Sequence, residues 1–230
     1  VRQLANLGGK STVRNYQQSA LVFNFSSDLK IAGLALERFT NTGPLAVLPL
    51  PNRRFGAVWT LPNDQALALQ ADPARLSAEF QRALGSTYGR VSQLSRPGIW
   101  PLLLNQCEPS VGNRTALIGN AAQTIHPLGA QGFNLGLRDA MQMAQYLNQL
   151  GTAADCIKHA AKPDFFADFA DLRALDRGNT IAFSDGLLTA TSSQTGLSKA
   201  LRGFGLALIA SNPLLQRDII RFGVGFTRTR

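Results

Sequence analysis

The chain has 230 residues, 45% of them apolar, which suits one or two globular domains with cores of their own. Two cysteines, Cys107 and Cys156, without CxxC spacing exclude a disulfide framework and point to a reducing compartment. No apolar run reaches the ~18 residues of a membrane-spanning helix, and nothing at the N-terminus reads as a signal peptide. Lys and Arg outnumber Asp and Glu by 23 to 14, a net charge of +9. Residues 1–90 carry ten basic and five acidic side chains, residues 91–157 three of each, and residues 158–230 ten and six. A basic excess at both ends suits anionic lipid, nucleic acid or further protein, and a solvated basic surface is the plainest reading.

In chain order, residues 20–25, 32–40, 45–49 and 56–60 read as strands, separated by Asn41-Thr42-Gly43-Pro44 and Pro51-Asn52-Arg53-Arg54, both of turn composition. That is an antiparallel-sheet pattern. A helix is expected over residues 73–85: Asp72 caps it, Pro73 opens it, and Leu76, Phe80 and Leu84 recur at helical spacing. Residues 99–104 and 115–119 are further strand candidates. From Leu117 the sequence runs LIGNAAQTIHPLGAQGFNLGLRDA: a strand, a glycine turn, a proline loop, a second glycine turn and a helix. Leu137, Ala140, Met141, Ala144 and Leu147 share one face of that helix and predict a core stripe. Residues 164–222 read as mostly helical, broken by a Ser/Thr/Gly run at 189–198 and by Pro213.

The Leu117–Ala140 stretch carries the chemistry. Glycines let backbone approach a ligand closely, and a helix N-terminus offers N–H groups and partial positive charge to an anion. A structural strand–loop–helix connection is the alternative. His126 precedes Pro127, and its side chain is either a proton-transfer group titrating near neutrality or a hydrogen-bonding partner for backbone. His126, His159 and the two distant cysteines do not make a metal site. Gly9-Lys10-Ser11 fails as a P-loop, because Leu4 holds the required first glycine. Gly203-Phe204-Gly205 fails as a dinucleotide fingerprint at Leu208.

Gly119-Asn120-Ala121-Ala122-Gln123, then His126-Pro127-Leu128-Gly129-Ala130-Gln131-Gly132-Phe133-Asn134 and Arg138-Asp139-Ala140 resemble the second flavin motif of the FAD-dependent aromatic hydroxylases. That family pattern is G-D-A-A-H, a spacer, P-x-x-G-Q-G-x-N and a helix ending near D-A. Asn120 and Gln123 stand where many members carry Asp and His. Thr42-Gly43-Pro44-Leu45-Ala46 with Leu48-Pro49, and Arg173, Asp176-Arg177, Thr180-Ile181 and Asp185, are similar to the ubiquinone-biosynthesis branch.

The resemblance implies a mixed α/β fold: an antiparallel sheet forming a substrate pocket (residues 19–110), the isoalloxazine-side strand–loop–helix (111–150) and a helical region (151–230). It implies FAD held by Gly119, Asn120, Pro127, Gly129, Gln131, Gly132, Phe133 and Asn134, with NAD(P)H as reductant. The reaction implied is hydroxylation of a polyprenylated phenol through a flavin C4a-hydroperoxide. The family also has a preceding strand–GxGxxG–helix unit for the ADP half of FAD, which this sequence lacks. Val1-Arg2 is similar to the end of the family's middle motif, so residues 1–18 are expected to follow that motif in a longer enzyme. Two other readings stand beside this one: a related flavin hydroxylase with a different substrate, and a non-catalytic fragment that binds membrane or partners. Residues 199–230 hold six basic side chains and one acid among many apolar ones, which suits a membrane interface as well as helix packing. The expected partners are therefore a prenylated phenol, the membrane surface and other proteins of the pathway, not nucleic acid. The expected location is the cytoplasm, with peripheral contact at the inner membrane face.

Overall fold

Alternation of apolar residues along four strands builds the first part of the fold. The structure is a computed structural model that describes residues 10–29, 33–108, 110–112, 115–160, 162, 164–192, 203, 205 and 207–223. The chain divides into two compact units, residues 15–102 and residues 1–14 with 103–230. In the first unit, β1 (Lys10–Ser27), β2 (Leu36–Phe39), β3 (Pro44–Leu50) and β4 (Arg54–Pro62) form an antiparallel sheet in the order β2-β3-β4-β1. Leu21 faces Trp59, which faces Leu45; Phe23 faces Ala57, which faces Val47. Side chains two apart share a face of a strand, so this register places one apolar row beside the next.

Two helices follow, α1 (Asn63–Ala71) and α2 (Pro73–Leu84). The Asp72 carboxylate accepts the Arg75 N–H at 3.0 Å and Pro73 fills the first position, so α2 starts where the sequence places it. Leu76, Phe80 and Leu84 bury its apolar face in the cluster that holds the sheet's inward side chains. Phe80 meets Phe23 edge-on at 4.8 Å and Phe25 at 5.0 Å, pair geometry worth about 0.5–1.5 kcal/mol beyond area burial. After α2 come β5 (Val91–Ser92), paired with β1, and β6 (Gly98–Glu108), on the side of β1 away from β4.

The sequence pattern missed α1 and the first half of β1. Helix α1 has no single apolar stripe: Ala66 and Leu69 are buried while Leu67 is exposed, so tertiary packing rather than periodicity carries it. β1 starts ten residues before the expected strand, through a polar run that shows no alternation.

The second unit takes residues 10–14 of β1 and 103–108 of β6. β7 (Val111–Gly112) and β8 (Thr115–Ala116) form a small hairpin, and β9 (Gln123–Thr124) pairs with β6 through Asn105↔Thr124 and Gln106↔Gln123. Then come α3 (Gln131–Gln149), α4 (Ala153–Ala160), α5 (Ala167–Ser192) and α6 (Pro213–Gly223). Tyr146 on α3 packs against Phe165, Phe166 and Phe169, its hydroxyl donating to the Phe165 carbonyl. Pro213 opens α6, as suits a residue without an N–H; most of the Ser/Thr/Gly run lies outside the described residues. Among the described residues no helix is long and apolar enough to cross a membrane.

The predicted core stripe of α3 is not its buried face. Leu137 and Met141 are 49% and 55% exposed, and Ala140 and Ala144 are exposed as well. The helix buries Gln131, Leu135 and Asp139 instead. The cause is the neighbour: α3 meets α5 through an ion-paired face, and charge pairing sets its rotation.

Candidate functional site

The glycine segment folds tightly around the start of α3. The expected strand over 115–119 is only two residues long, Thr115–Ala116. Its pairing with β7 ends there, the backbone is still extended at Ile118, and the chain turns at Gly119, φ +56, into a 3-10 turn at Gly119–Ala121. Asn120 therefore sits exposed in that turn and not at a strand end. Gly119 also lies against α3: a Cβ added at Gly136 would come within 3.2 Å of the Gly119 Cα. Glycine at both positions lets turn and helix touch by backbone.

A second 3-10 turn, Leu128–Ala130, leads directly into α3. Gly129 has φ +74 and Ala130 φ +51, so the chain reverses sharply in left-handed backbone. Ala130 is the residue before the helix, and its side chain offers no cap to the amides of the first turn. Gln131 is buried, and its side-chain amide donates to the Gly129 carbonyl at 3.1 Å, fixing that turn. Phe133 stands 79% exposed on the first turn of α3. Pro127 is exposed too, while Gly132 and Asn134 are half-buried. Gly132 packs near Ile125: a Cβ there would lie 3.7 Å from Ile125 Cγ1. Gly119, Asn120, Gly129, Gln131, Gly132, Phe133 and Asn134 are thus gathered on two turns and the helix start that both turns pack against.

His126 is 1% exposed. Its Nδ1 accepts the Leu128 N–H at 3.2 Å, which leaves the ring proton on Nε2. Burial pushes its pKa from the ordinary 6.5 down to about 4, against the opposing pull of Asp185. Of the two readings the sequence left open, the hydrogen bond from Leu128 and the burial favour a neutral partner for backbone over a group titrating near neutrality.

Beneath the turns lies a charged network that the motif reading left out of the site. Asp139 is fully buried on α3. Its Oδ2 accepts the Gly119 N–H and the Gln123 side-chain amide, each at 2.9 Å, and its Oδ1 accepts Arg173 Nε at 2.6 Å. Burial pushes its pKa upward, but the hydrogen bonds from Gln123, Arg173 and Gly119, with the charge of Arg177, outweigh that and hold it below the usual carboxylate range. Arg173 also reaches Gln142 at 3.0 Å and Asp176 at 2.6 Å, and Arg138 pairs with Asp176 at 2.9 Å and Thr180 at 3.1 Å. The spacing 173, 176, 177, 180, 184 on α5 is one helix face, i to i+3 and i+4. The R-x-x-D-R-x-x-T pattern is the polar face that meets α3. Polar residues recurring at core spacing on two helices were the available signal.

What this arrangement offers is a helix start without a side-chain cap, a left-handed glycine turn before it, and an exposed aromatic and proline beside it. Such a set seats an anionic planar group: first-turn amides meet negative charge, and Pro127 and Phe133 give apolar surface without competing donors. A flavin ring end, anionic at N1 and the C2 carbonyl when reduced, fits these residues. The chain thus combines a mixed α/β fold with a helix start whose chemistry suits the anionic edge of a planar cofactor. Residues 1–184 match the FAD binding domain family, and the chain belongs to it.

Among curated relatives, it is 30% identical over 226 residues to the ubiquinone hydroxylase UbiL of Rhodospirillum rubrum, covering 98% of this chain and 52% of that protein. It is also 30% identical to the mitochondrial ubiquinone biosynthesis monooxygenase COQ6 of Danio rerio, covering 93% and 51%. Thus the chain spans about half the length of these relatives. The p-nitrophenol 4-monooxygenase PnpA of Pseudomonas putida shares its fold with a TM-score of 0.74 at 18% identity, covering 100% of this chain and 58% of that one.

Proposed function

We propose that this chain is part of a flavin-dependent monooxygenase of ubiquinone biosynthesis and that it seats the ring end of FAD. The substrate class is a polyprenylated phenol, and the reductant is NAD(P)H. The observation that carries the reading is the helix start of α3, preceded by the Gly129 turn and flanked by Gly119 and Asn120. Curated relatives named for ubiquinone hydroxylation support the substrate class. When bound, FAD supplies the oxygen chemistry of ring hydroxylation.

This chain's residues do the rest. The amides around Gly132, Phe133 and Asn134 stabilise negative charge on the ring without reorganising. Pro127 and Phe133 pack against its apolar edge and exclude water. Asn120 gives the ribityl hydroxyls a group that both donates and accepts, without adding charge beside the ring. His126 holds the Leu128 amide in place as a neutral ring.

The test is oxygen labelling of the whole gene product, purified with FAD and given a short-chain prenylated phenol, NADPH or NADH, and ¹⁸O₂. One labelled oxygen in the ring product is expected. Absence of bound flavin and of labelled product overturns the reading. Residues 1–230 alone are expected to hold FAD weakly and not to turn over; tight stoichiometric retention would refute that part.

A second surface supports a cytoplasmic location with peripheral contact at the inner face of the membrane. On α6, Leu215 and Ile219 are exposed at i, i+4 spacing on the side opposite Arg217 and Arg221, and Leu214 and Ile220, 72% and 62% exposed, flank the two arginines. Flotation with anionic vesicles, lost with phosphatidylcholine alone or in a Leu215→Ser, Ile219→Ser variant, is the expected outcome. Equal flotation of that variant would remove this surface from the reading.

A further inference from the structure

We infer that Asp139, gripped by Arg173, is a positioning residue that sets the Gly119 turn at the edge of the cofactor site. The inference rests on the flavin reading above for its consequence, though not for its geometry. Asp139 lies two turns into α3, away from the helix start that would meet the ring, so it acts through the turn. The Gly119 amide emerges where the chain leaves extended conformation at φ +56, and its partner is the Asp139 carboxylate at 2.9 Å. One helical turn earlier, Gly136 abuts the Gly119 Cα. The turn is therefore held by a contact at Gly136 and a charge-assisted hydrogen bond at Asp139, and Asn120 follows directly.

The charge needs explaining, because an apolar pair would serve packing as well. Replacing a buried ion pair with fitted apolar residues is often neutral or stabilising. Only an acceptor can take a backbone N–H, and Asp139 takes two donors on one oxygen while Arg173 neutralises the other. Arg177 stands 3.6 Å from that oxygen, and its Nη2 lies 3.5 Å from the Leu117 carbonyl, two residues before Gly119. Helix α5 thereby reaches the turn from both sides of Gly119: through Arg173 and Asp139 to its amide, and through Arg177 to the strand that leads into it.

The test uses Asp139→Asn, and the paired variant Asp139→Leu with Arg173→Met, in the FAD-free and FAD-loaded gene product. Hydrogen exchange at the Gly119 amide is read without cofactor. It is expected to speed at least about tenfold in both variants, since a hydrogen bond to a charged group is among the stronger ones. Amides of residues 143–148 in α3 should exchange as before. With FAD, both variants should bind at least about tenfold more weakly and shift the bound flavin's visible circular dichroism, the paired variant doing so with its melting temperature near wild type. Unchanged Gly119 exchange in Asp139→Asn overturns the inference. So does wild-type FAD affinity and flavin spectrum in a variant whose Gly119 exchange has sped up. Failure of the unsubstituted protein to bind FAD sinks the flavin reading instead, and the exchange result then stands alone. Should the paired variant not fold, Asp139→Asn, close to isosteric, decides.

Discussion

Replacing His126 with Asn should flatten the pH dependence of stability between about pH 4 and 6.5. The native ring is held neutral by burial, with a pKa of about 4 against an ordinary 6.5. Because the folded-state pKa is lowered, the unfolded chain binds the extra proton throughout that window. Stability therefore rises with pH from 4 to 6.5, by roughly 1.4 kcal/mol per pH unit, and levels off on either side. Summed over the window, His126 makes the protein about 3 kcal/mol less stable at pH 4 than at pH 7. For a chain of this size that is a fall in melting temperature of about 6–12 °C. Asn is the right replacement because its Oδ1 can accept the Leu128 N–H that Nδ1 accepts now. Any packing loss shifts the whole curve by a constant, whereas the His effect is its slope. Asp139 does not confuse the reading: its pKa is held below the usual carboxylate range, so its contribution is present above that range and lost only as pH falls below the window. The assay is thermal and urea unfolding from pH 4 to 8. A His126→Asn slope equal to wild type between pH 4.5 and 6 would refute the argument, whatever the absolute stabilities.

Other substitutions probe the two units separately. Arg173→Met alone leaves the Asp139 carboxylate buried without its strongest partner, and a loss of about 3–5 kcal/mol is expected; urea unfolding should show most of it recovered when Asp139→Leu is added. Phe80→Ala empties the centre of the aromatic cluster on the sheet, at an expected cost of about 3–5 kcal/mol in the urea midpoint at constant m. Ala130 holds φ +51 without being glycine, so Ala130→Gly should raise the melting temperature, relieving about 1 kcal/mol of left-handed strain. A lower melting temperature for that variant would mean the turn is not strained.

The sheet unit was legible because its signals are local. Two-residue alternation along residues 20–25, 45–49 and 56–60, and the Asp72-Pro73 start of α2, each fix structure within one element, and the register follows from the apolar face. Helix α1 and the first half of β1 were not legible, since neither carries a periodic apolar face of its own. In the site, the glycines pointed correctly to two tight turns and a helix start. The strand expected before them is paired only at Thr115–Ala116, because its partner β7 is two residues long, which a local pattern does not display. His126 shows the same limit from the side of electrostatics: residue type sets the ordinary titration range of an imidazole, but only the three-dimensional surroundings remove the water.

Helix α3 carries the deeper lesson about where pattern reading fails. Its sequence has two candidate faces, an apolar one through Leu137, Ala140, Met141 and Ala144 and a polar one through Gln131, Asp139 and Gln142. A rule that buries the apolar face selects the first. The structure buries the second, where Arg173 and Arg177 face the Asp139 carboxylate and Arg138 and Arg173 pair with Asp176, and where the Gly119 amide finds its acceptor. Apolar burial is non-directional and can be met by many partners. A buried carboxylate tolerates only the arrangement that supplies its donors. Where the two demands meet on one helix, the directional demand fixes which face of α3 turns toward α5.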